Sequence, residues 1–148
     1  MKENTPALAI DHGEKRIGLA ISDSTRTIAR PLAIIKHISR EQDAKRILEL
    51  ADRSNAGIIV VGQSSNEDGV PNLAGRRAGR FAELLGTLTG REVVLWDESF
   101  STRDALEWRL ASGAPRKKRA AADDAAAAAM ILQSYLDAQR TMIDAPDK

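Results

Sequence analysis

The sequence predicts an α/β domain whose mixed sheet begins as an antiparallel meander, continues with parallel strands and carries helices on its faces. Three strand-like segments near the N-terminus are joined by short polar connections, which favour antiparallel pairing. Two β-branched runs, "GIIVVG" and "EVVLW", then alternate with helical segments, as in a parallel sheet. The length of 148 residues suits one domain, 1–148, with a core over about 7–140 and frayed ends.

The meander is expected at 7–10, 17–22 and 33–38, where apolar residues are bounded by polar ones. In Leu73–Leu88 the apolar residues recur at the three-four spacing of an amphipathic helix. Ser101 is a good N-cap for a short helix. After the meander the predicted elements are helix 41–51, strand 57–62, helix 73–88, strand 92–96, helix 101–110, a loop over 113–122, and a helix from Asp123 or Asp124 to Arg140.

Composition excludes several classes of protein. Without cysteine the chain forms no disulfide or thiolate metal site, which fits a reducing cytoplasm. No apolar run approaches the roughly 20 residues of a membrane span, and the polar start is too short for a signal peptide. The formal net charge is +1, so a nucleic-acid partner would be indicated only by local basic clusters. Two exist, each of which is ordinary solvated surface if taken alone: Arg116, Lys117, Lys118 and Arg119, and Arg76, Arg77 and Arg80.

Three acidic positions stand where a functional site would form. Asp11 follows the first strand, Glu98 follows Asp97 after the last strand, and Asp124 opens the final helix. Taken singly, each can also be interpreted as a structural residue, in a turn, on the surface or as a helix cap. Sites in open sheets, however, gather beyond the carboxyl ends of parallel strands. Gly13 would let the chain turn sharply there and let a substrate approach the backbone.

The final helix strengthens the case for a site. At about 100° per residue, Asp124 falls in one stripe with Ala128 and Ile131, whereas Asp123 lies about 100° away. A carboxylate at the edge of a core is costly unless it is hydrogen-bonded, paired or bound to a metal. If Asp11 and Glu98 reach the same edge, three negative charges meet and a divalent cation would neutralise them. With no cysteine and two histidines, Mg²⁺ or Mn²⁺ is the expected ion.

Four motifs resemble the YqgF family, also called RuvX, of pre-16S rRNA nucleases: "AIDHGEKRIGLAISD", "IIVVGQSSNEDG", "WDESFST" and "DDAAAAAMILQSYL". They occur in the family's order and spacing over 7–136. The resemblance implies an RNase H-like fold with a five-stranded mixed sheet. It also implies that the strand carrying Glu98 is farther from the first strand than its neighbour is, which would explain the longer Glu. The family's acidic positions correspond to Asp11, Glu98 and Asp124, its basic and hydroxyl positions to Lys15, Arg16, Ser101 and Thr102, and its glycines to Gly13, Gly18, Gly62 and Gly69. Of these glycines, Gly13, Gly62 and Gly69 are expected at backbone turns.

Some positions depart from the family pattern. His12 stands where an aromatic residue is common, Gln63-Ser64 stand where Leu-Pro is common, and Ser99 replaces an Arg. The missing Arg puts one substrate contact in doubt. Arg103 or the basic run Arg116, Lys117, Lys118 and Arg119 is the expected replacement.

The resulting expectation is a hydrolase, a two-metal-ion nuclease. Two Mg²⁺ or Mn²⁺ ions roughly 4 Å apart, held by Asp11, Glu98 and Asp124, would activate water and stabilise the leaving 3′ oxygen. Lys15, Arg16 and the basic run at 116–119 would contact backbone phosphates. The resemblance favours processing of the 5′ end of pre-16S rRNA in the cytoplasm, with ribosomal precursor particles among the partners.

Three alternatives remain open. A Holliday junction resolvase shares the fold but makes paired nicks, which naturally requires a dimer; the sequence leaves monomer and homodimer open. A non-catalytic RNA-binding assembly factor would use the acids only as caps and turns. A sugar-kinase or actin-like phosphotransferase also carries Asp-x-Gly after a first strand, but it needs two such domains. Trp96 lies in a strand and is expected in the core rather than on a base-stacking surface.

Overall fold

A computed structural model describes the backbone of residues 4–98 and 116–144, with the side chains of 4–98 and 125–140. Its five strands form one sheet in the order β3-β2-β1-β4-β5. β1 is antiparallel to β2 and β2 to β3, whereas β4 is parallel to both β1 and β5. The predicted mixed sheet is therefore confirmed. The elements are β1 (Ala7–His12), β2 (Arg16–Ser22), β3 (Ala29–Lys36), α1 (Arg40–Ser54), β4 (Ile58–Gln63), α2 (Leu73–Leu88), β5 (Glu92–Asp97) and α3 (Arg116–Asp144).

Strand pairing moves two boundaries away from their predicted places. β1 continues through His12 because Asp11 pairs with Gly18 and His12 with Ile17 of β2. β3 occupies 29–36 rather than 33–38, and it includes Pro31. Proline is tolerated there because β3 is an edge strand, where a missing N–H removes no ladder bond on the open side. Hydropathy alone does not reveal that the strand begins at Ala29, ahead of Arg30 and Pro31.

The last helix is longer than predicted. α3 begins at Arg116, so the expected loop over 113–122 is wrong for 116–122, and the basic run at 116–119 has helical backbone. After Pro115 the sequence is rich in Arg, Lys and Ala, which are strong helix formers, and no glycine interrupts it. The predicted helix 101–110 lies outside the described residues. No helix in the described backbone is both long enough and apolar enough to cross a membrane.

The sheet separates two apolar layers, and β1 contributes to both. Leu8 and Ile10 face α1 and α2, whereas Ala7 and Ala9 face α3. This division follows from the strand period of two, which sends alternate side chains to opposite faces. The α3 layer is completed by residues of the sheet and of the helix: Ala20, Ile58, Val60, Ala128, Ile131, Leu132, Tyr135 and Leu136.

Trp96 belongs to the α3 layer, as predicted. Its ring meets Tyr135 edge to face with centroids 5.3 Å apart, and its Nε1 donates to Ser134 Oγ at 3.1 Å. The indole is half-buried, and its polar group is satisfied. Trp96 thus fixes the end of β5 against α3.

Two leucines on α2 test the packing of the other layer. Leu85 is fully buried, whereas Leu88, one turn later, is 53% exposed. We expect Leu85→Ala to lower the free energy of unfolding by about 2–5 kcal/mol, because it removes buried methyl groups and leaves a cavity. Leu88→Ala is the matched control and should change it by less than about 0.5 kcal/mol. Urea denaturation of both variants measures the difference, and equal losses would contradict this assignment of the core.

Candidate active site

Strand alternation places two of the predicted acids on one face of the sheet. Asp11 has the same parity on β1 as Ala7 and Ala9, which pack beneath α3. Glu98 has the same parity as Trp96, which packs in that layer as well. The Glu98 backbone N–H donates to the Gln63 carbonyl at 3.0 Å, so pairing with β4 continues past the end of β5. Both side chains therefore start from fixed backbone at the carboxyl ends of their strands.

Gly62 lets the Glu98 side chain cross β4. β4 lies between β1 and β5, as the family resemblance implies for the strand that carries Glu98. A Cβ built on Gly62 would lie 2.8 Å from Glu98 Oε1 and 2.7 Å from Ile131 Cδ1. Any side chain at 62 would occupy the space through which Glu98 reaches toward Asp11. The expectation that Gly62 is a turn residue is thus wrong: it is inside β4 and is needed for close approach.

The two carboxyl groups interact directly. Burial, the negative charge of Asp11, a hydrogen bond to Asp11 and the charge of Asp97 together raise the pKa of Glu98 to about 8. Each of these influences penalises a second negative charge at this point. Near neutral pH the pair therefore shares a proton, or it needs a positive charge from outside the chain.

The position of Asp124 can be given only along the helix, because its side chain lies outside the described residues. Its backbone belongs to α3, four residues before the fully buried Ala128 and seven before Ile131. Ile131 approaches Gly62, so the helix stripe predicted to contain Asp124 packs on the sheet beside Glu98. Among the described side chains, no three acids or histidines form a group that could hold a metal ion. Asp124 as a third ligand stays a prediction.

The predicted phosphate-binding residues fall into three groups. Lys15 lies in the β1–β2 connection and Arg16 is the first residue of β2, and both are exposed. That turn is closed by a hydrogen bond of 3.1 Å from the Gly13 N–H to the Arg16 carbonyl, and a Cβ on Gly13 would lie 2.4 Å from the same oxygen. Gly69 lies in a separate turn with a φ of 84°. Ser101, Thr102 and Arg103 lie outside the described residues, and for Arg116, Lys117, Lys118 and Arg119 the structure describes only helical backbone.

A basic pocket on the opposite face was not predicted. It has a volume of about 190 Å³ and is lined by His12, His37, Arg40, Arg77, Arg80 and Phe81. Burial is the main cause that lowers the pKa of His12; the charges of His37, Arg77 and Arg40 also lower it, against an opposing effect of Asp43. The alternation of β1 contains a signal for this pocket, since His12 has the parity of Leu8 and Ile10. No sequence pattern showed that His37 and α2 would meet it.

This arrangement, a five-stranded mixed sheet with a half-buried pair of carboxyl groups at the carboxyl ends of its strands, is that of an RNase H-like fold. A family model described as "RuvX: Holliday junction resolvase" matches residues 5–138. The chain belongs to this family.

Relatives and solved structures agree with that membership. A protein of Thermoanaerobacter pseudethanolicus named "Putative pre-16S rRNA nuclease" is 37% identical over 134 residues, which cover 90% of this chain and 96% of the relative. One of the same name from Methylocella silvestris is 41% identical over 135 residues, 90% of this chain and 83% of the relative. Thermus thermophilus RuvC bound to a Holliday junction matches with a TM-score of 0.56 and 19% identity over 92% of this chain and 96% of that chain. The Fowlpox virus resolvase in complex with junction DNA has a TM-score of 0.58 and 16% identity over 91% and 99%. At these identities the two structures support the fold alone.

The role of Gly62 can be tested with a matched pair of glycines. Gly62→Ala should lower the free energy of unfolding by at least about 1 kcal/mol, because the new methyl group overlaps Glu98 and Ile131. Gly86→Ala is the control: it lies on α2 with nothing within 4 Å of a Cβ, and it should be neutral or stabilise by up to about 1 kcal/mol. Chemical denaturation measures both. A neutral Gly62→Ala would show that Glu98 does not need this space.

The carboxyl pair should also leave a signature in the pH dependence of stability. Glu98 has an ordinary pKa of 4.5 when unfolded and about 8 when folded. Between these values the folded protein keeps a proton that the unfolded chain releases, so the free energy of unfolding falls as pH rises, by at most about 1.4 kcal/mol per pH unit. Glu98→Gln should lack this fall. From pH 4.5 to 8 the variant should therefore gain stability relative to wild type. Parallel curves, measured in metal-free buffer, would contradict the coupling.

Proposed function

We propose that this protein is a metal-dependent endonuclease that hydrolyses phosphodiester bonds of nucleic acid. The observation that carries the proposal is the half-buried pair of Asp11 and Glu98 at the carboxyl ends of the parallel strands. A pair of acids that is costly to ionise, yet built on the most rigid part of the fold, indicates a site whose purpose is to bind positive charge. Membership of the RuvX family supports the same reaction class.

The donor set suits Mg²⁺ or Mn²⁺. Its atoms are carboxylate oxygens, the ligands that these hard cations prefer, and the sequence has no cysteine to offer a thiolate. We propose Asp11, Glu98 and Asp124 as the residues that would hold the metal. When bound, divalent cations lower the pKa of water and stabilise the oxygen that leaves a phosphodiester.

The protein's own residues supply position and electrostatics. β1 pairs with β4 up to Ile10 and with β2 through His12, so the backbone at Asp11 has little freedom. Gly62 keeps open the path of the Glu98 side chain. Lys15 and Arg16, exposed beyond the end of β1, would contact the phosphates that flank the scissile bond. The basic residues at 116–119 start α3, the helix that carries Asp124, and would extend this contact surface.

For the substrate we propose the 5′ end of pre-16S rRNA, processed in the cytoplasm during ribosome biogenesis. The names of relatives that align over most of their own length support this choice. A second candidate is cleavage of Holliday junctions, because the family description names that activity. The junction reaction needs two active sites arranged symmetrically, and hence a homodimer, whereas end processing can be performed by a monomer.

A direct comparison of substrates separates these candidates. The purified protein is incubated in Mg²⁺ or Mn²⁺ with a pre-16S rRNA fragment that carries the 5′ extension, or with a four-way DNA junction. Cleavage of the RNA alone supports the rRNA proposal. Paired symmetric nicks in the junction, together with a dimer in solution, would replace it by the resolvase activity. Binding of RNA without cleavage in either metal would favour a non-catalytic assembly factor.

Asp11→Asn tests the carboxylate pair itself. We expect it to lower the rate of cleavage at least about 100-fold, because it removes a charged ligand, while RNA binding is preserved. Asp52→Asn is the matched control: Asp52 is at the end of α1, where it pairs with Arg91 at 2.6 Å beside the amino-terminal ends of β4 and β5. It should leave cleavage within about twofold. If Asp11→Asn cleaves as fast as wild type, the proposed site is wrong.

A further inference from the structure

The basic pocket on the α1 and α2 side of β1 is formed by side chains from four segments of the chain. His12 comes from β1, His37 from the β3–α1 connection, Arg40 from the start of α1, and Arg77 and Arg80 from α2. Among the described residues, five of the six that line it are thus arginine or histidine, and none is a carboxylate. The three guanidinium groups come from the start of α1 and from α2, and bringing them together costs free energy in the absence of a counter-ion.

Local acids compensate only part of this charge. Arg77 Nη1 pairs with Glu14 at 2.5 Å. The fully buried Asp43 is held by His37 and Arg46. Within the part of the chain that the structure describes, Arg40 and Arg80 form no ion pair. Two guanidinium groups therefore remain available to a ligand in the pocket.

The two imidazoles are fixed before any ligand arrives. The His12 ring stacks on Phe81 with centroids 4.7 Å apart. The His37 Nδ1 interacts with the Asp43 carboxylate, which also accepts from the Ile38 N–H at 3.0 Å. That contact uses Nδ1, so Nε2 is the His37 nitrogen that can contact a ligand. Pre-organised donors of this kind bind an anion without the cost of ordering them first.

We propose that this pocket binds a phosphate group of the nucleic-acid substrate. Planar guanidinium forks match the oxygens of a phosphate and favour it over smaller spherical anions. Asp11 and His12 are adjacent on β1 but face opposite sides of the sheet, so a strand that crosses the end of β1 would meet both sites. This inference rests on the proposed function for its substrate and deepens it, since it adds a second contact outside the carboxylate pair. The bound phosphate is either a terminal 5′-phosphate or a backbone phosphodiester.

Binding of inorganic phosphate to the metal-free protein tests the pocket without catalysis. It is followed by ¹H–¹⁵N NMR at fixed pH, with NaCl used to hold ionic strength constant. We expect saturable shifts at 12–14, 37–40 and 77–81, and an affinity that falls about tenfold in Arg40→Gln and in Arg80→Gln. Arg76→Gln is the matched control, because Arg76 lies on the same helix but donates to the Pro71 carbonyl and does not line the pocket. Shifts that do not saturate, or an equal loss in Arg76→Gln, would overturn the proposal.

Short RNAs then identify the source of the phosphate. Oligoribonucleotides with a 5′-phosphate or a 5′-hydroxyl are compared in the presence of EDTA. A preference for the phosphorylated RNA that Arg80→Gln abolishes identifies a terminal phosphate, whereas equal binding that Arg80→Gln weakens about tenfold identifies a phosphodiester. RNA binding that Arg80→Gln leaves unchanged would overturn the link to the substrate. These results are independent of cleavage: Asp11→Asn can disprove the nuclease while phosphate binding persists, and the reverse also holds.

Discussion

The close approach of two carboxyl groups across a glycine is the constraint on which the site depends. Asp11 is on β1 and Glu98 follows β5, and these two strands are separated by β4. Only a residue without a side chain at 62 lets Glu98 pass over β4 and reach Asp11. The resulting pair resists double ionisation, which is reflected in the raised pKa of Glu98. Ionising both carboxyl groups therefore costs free energy, and a cation bound between them would reduce that cost.

The sheet divides the chemistry of the molecule between its faces. The odd-numbered residues of β1 are on the α3 face: Ala7 and Ala9 pack in the core, and Asp11 follows them at the end of the strand. On the other face, even-numbered residues lead from Leu8 and Ile10 to His12 in a basic pocket. One strand therefore places negative and positive sites back to back at the same end. A phosphodiester chain carries negative charge and needs cations on the acidic side, but on the basic side the protein supplies the positive charge itself.

Trp96, Gly62 and the start of α3 show where a local sequence pattern predicts the structure and where it does not. The position of Trp96 in a strand predicts a place in the core, and its contacts with Tyr135 and Ser134 agree. Gly62, one of the glycines matched to the family pattern, is expected at a turn, but the strand continues through it to Gln63. The difference lies in a long-range contact with Glu98, which no local pattern records. The start of α3 was misplaced because charged helix formers at 116–119 lack the apolar periodicity on which the prediction relied.

The sequence by itself determined the mixed sheet, since the change from short polar connections to helical ones dictates which strands pair antiparallel and which parallel. It also determined the parity of Asp11 and of His12, because side-chain direction in a strand alternates strictly. Only the tertiary structure decided that Glu98 lies over Gly62 and that His37, Arg40 and Arg80 converge on His12. These contacts join residues that are from 25 to 68 positions apart in the chain. Their geometry depends on strand order and helix placement, which local periodicity does not encode.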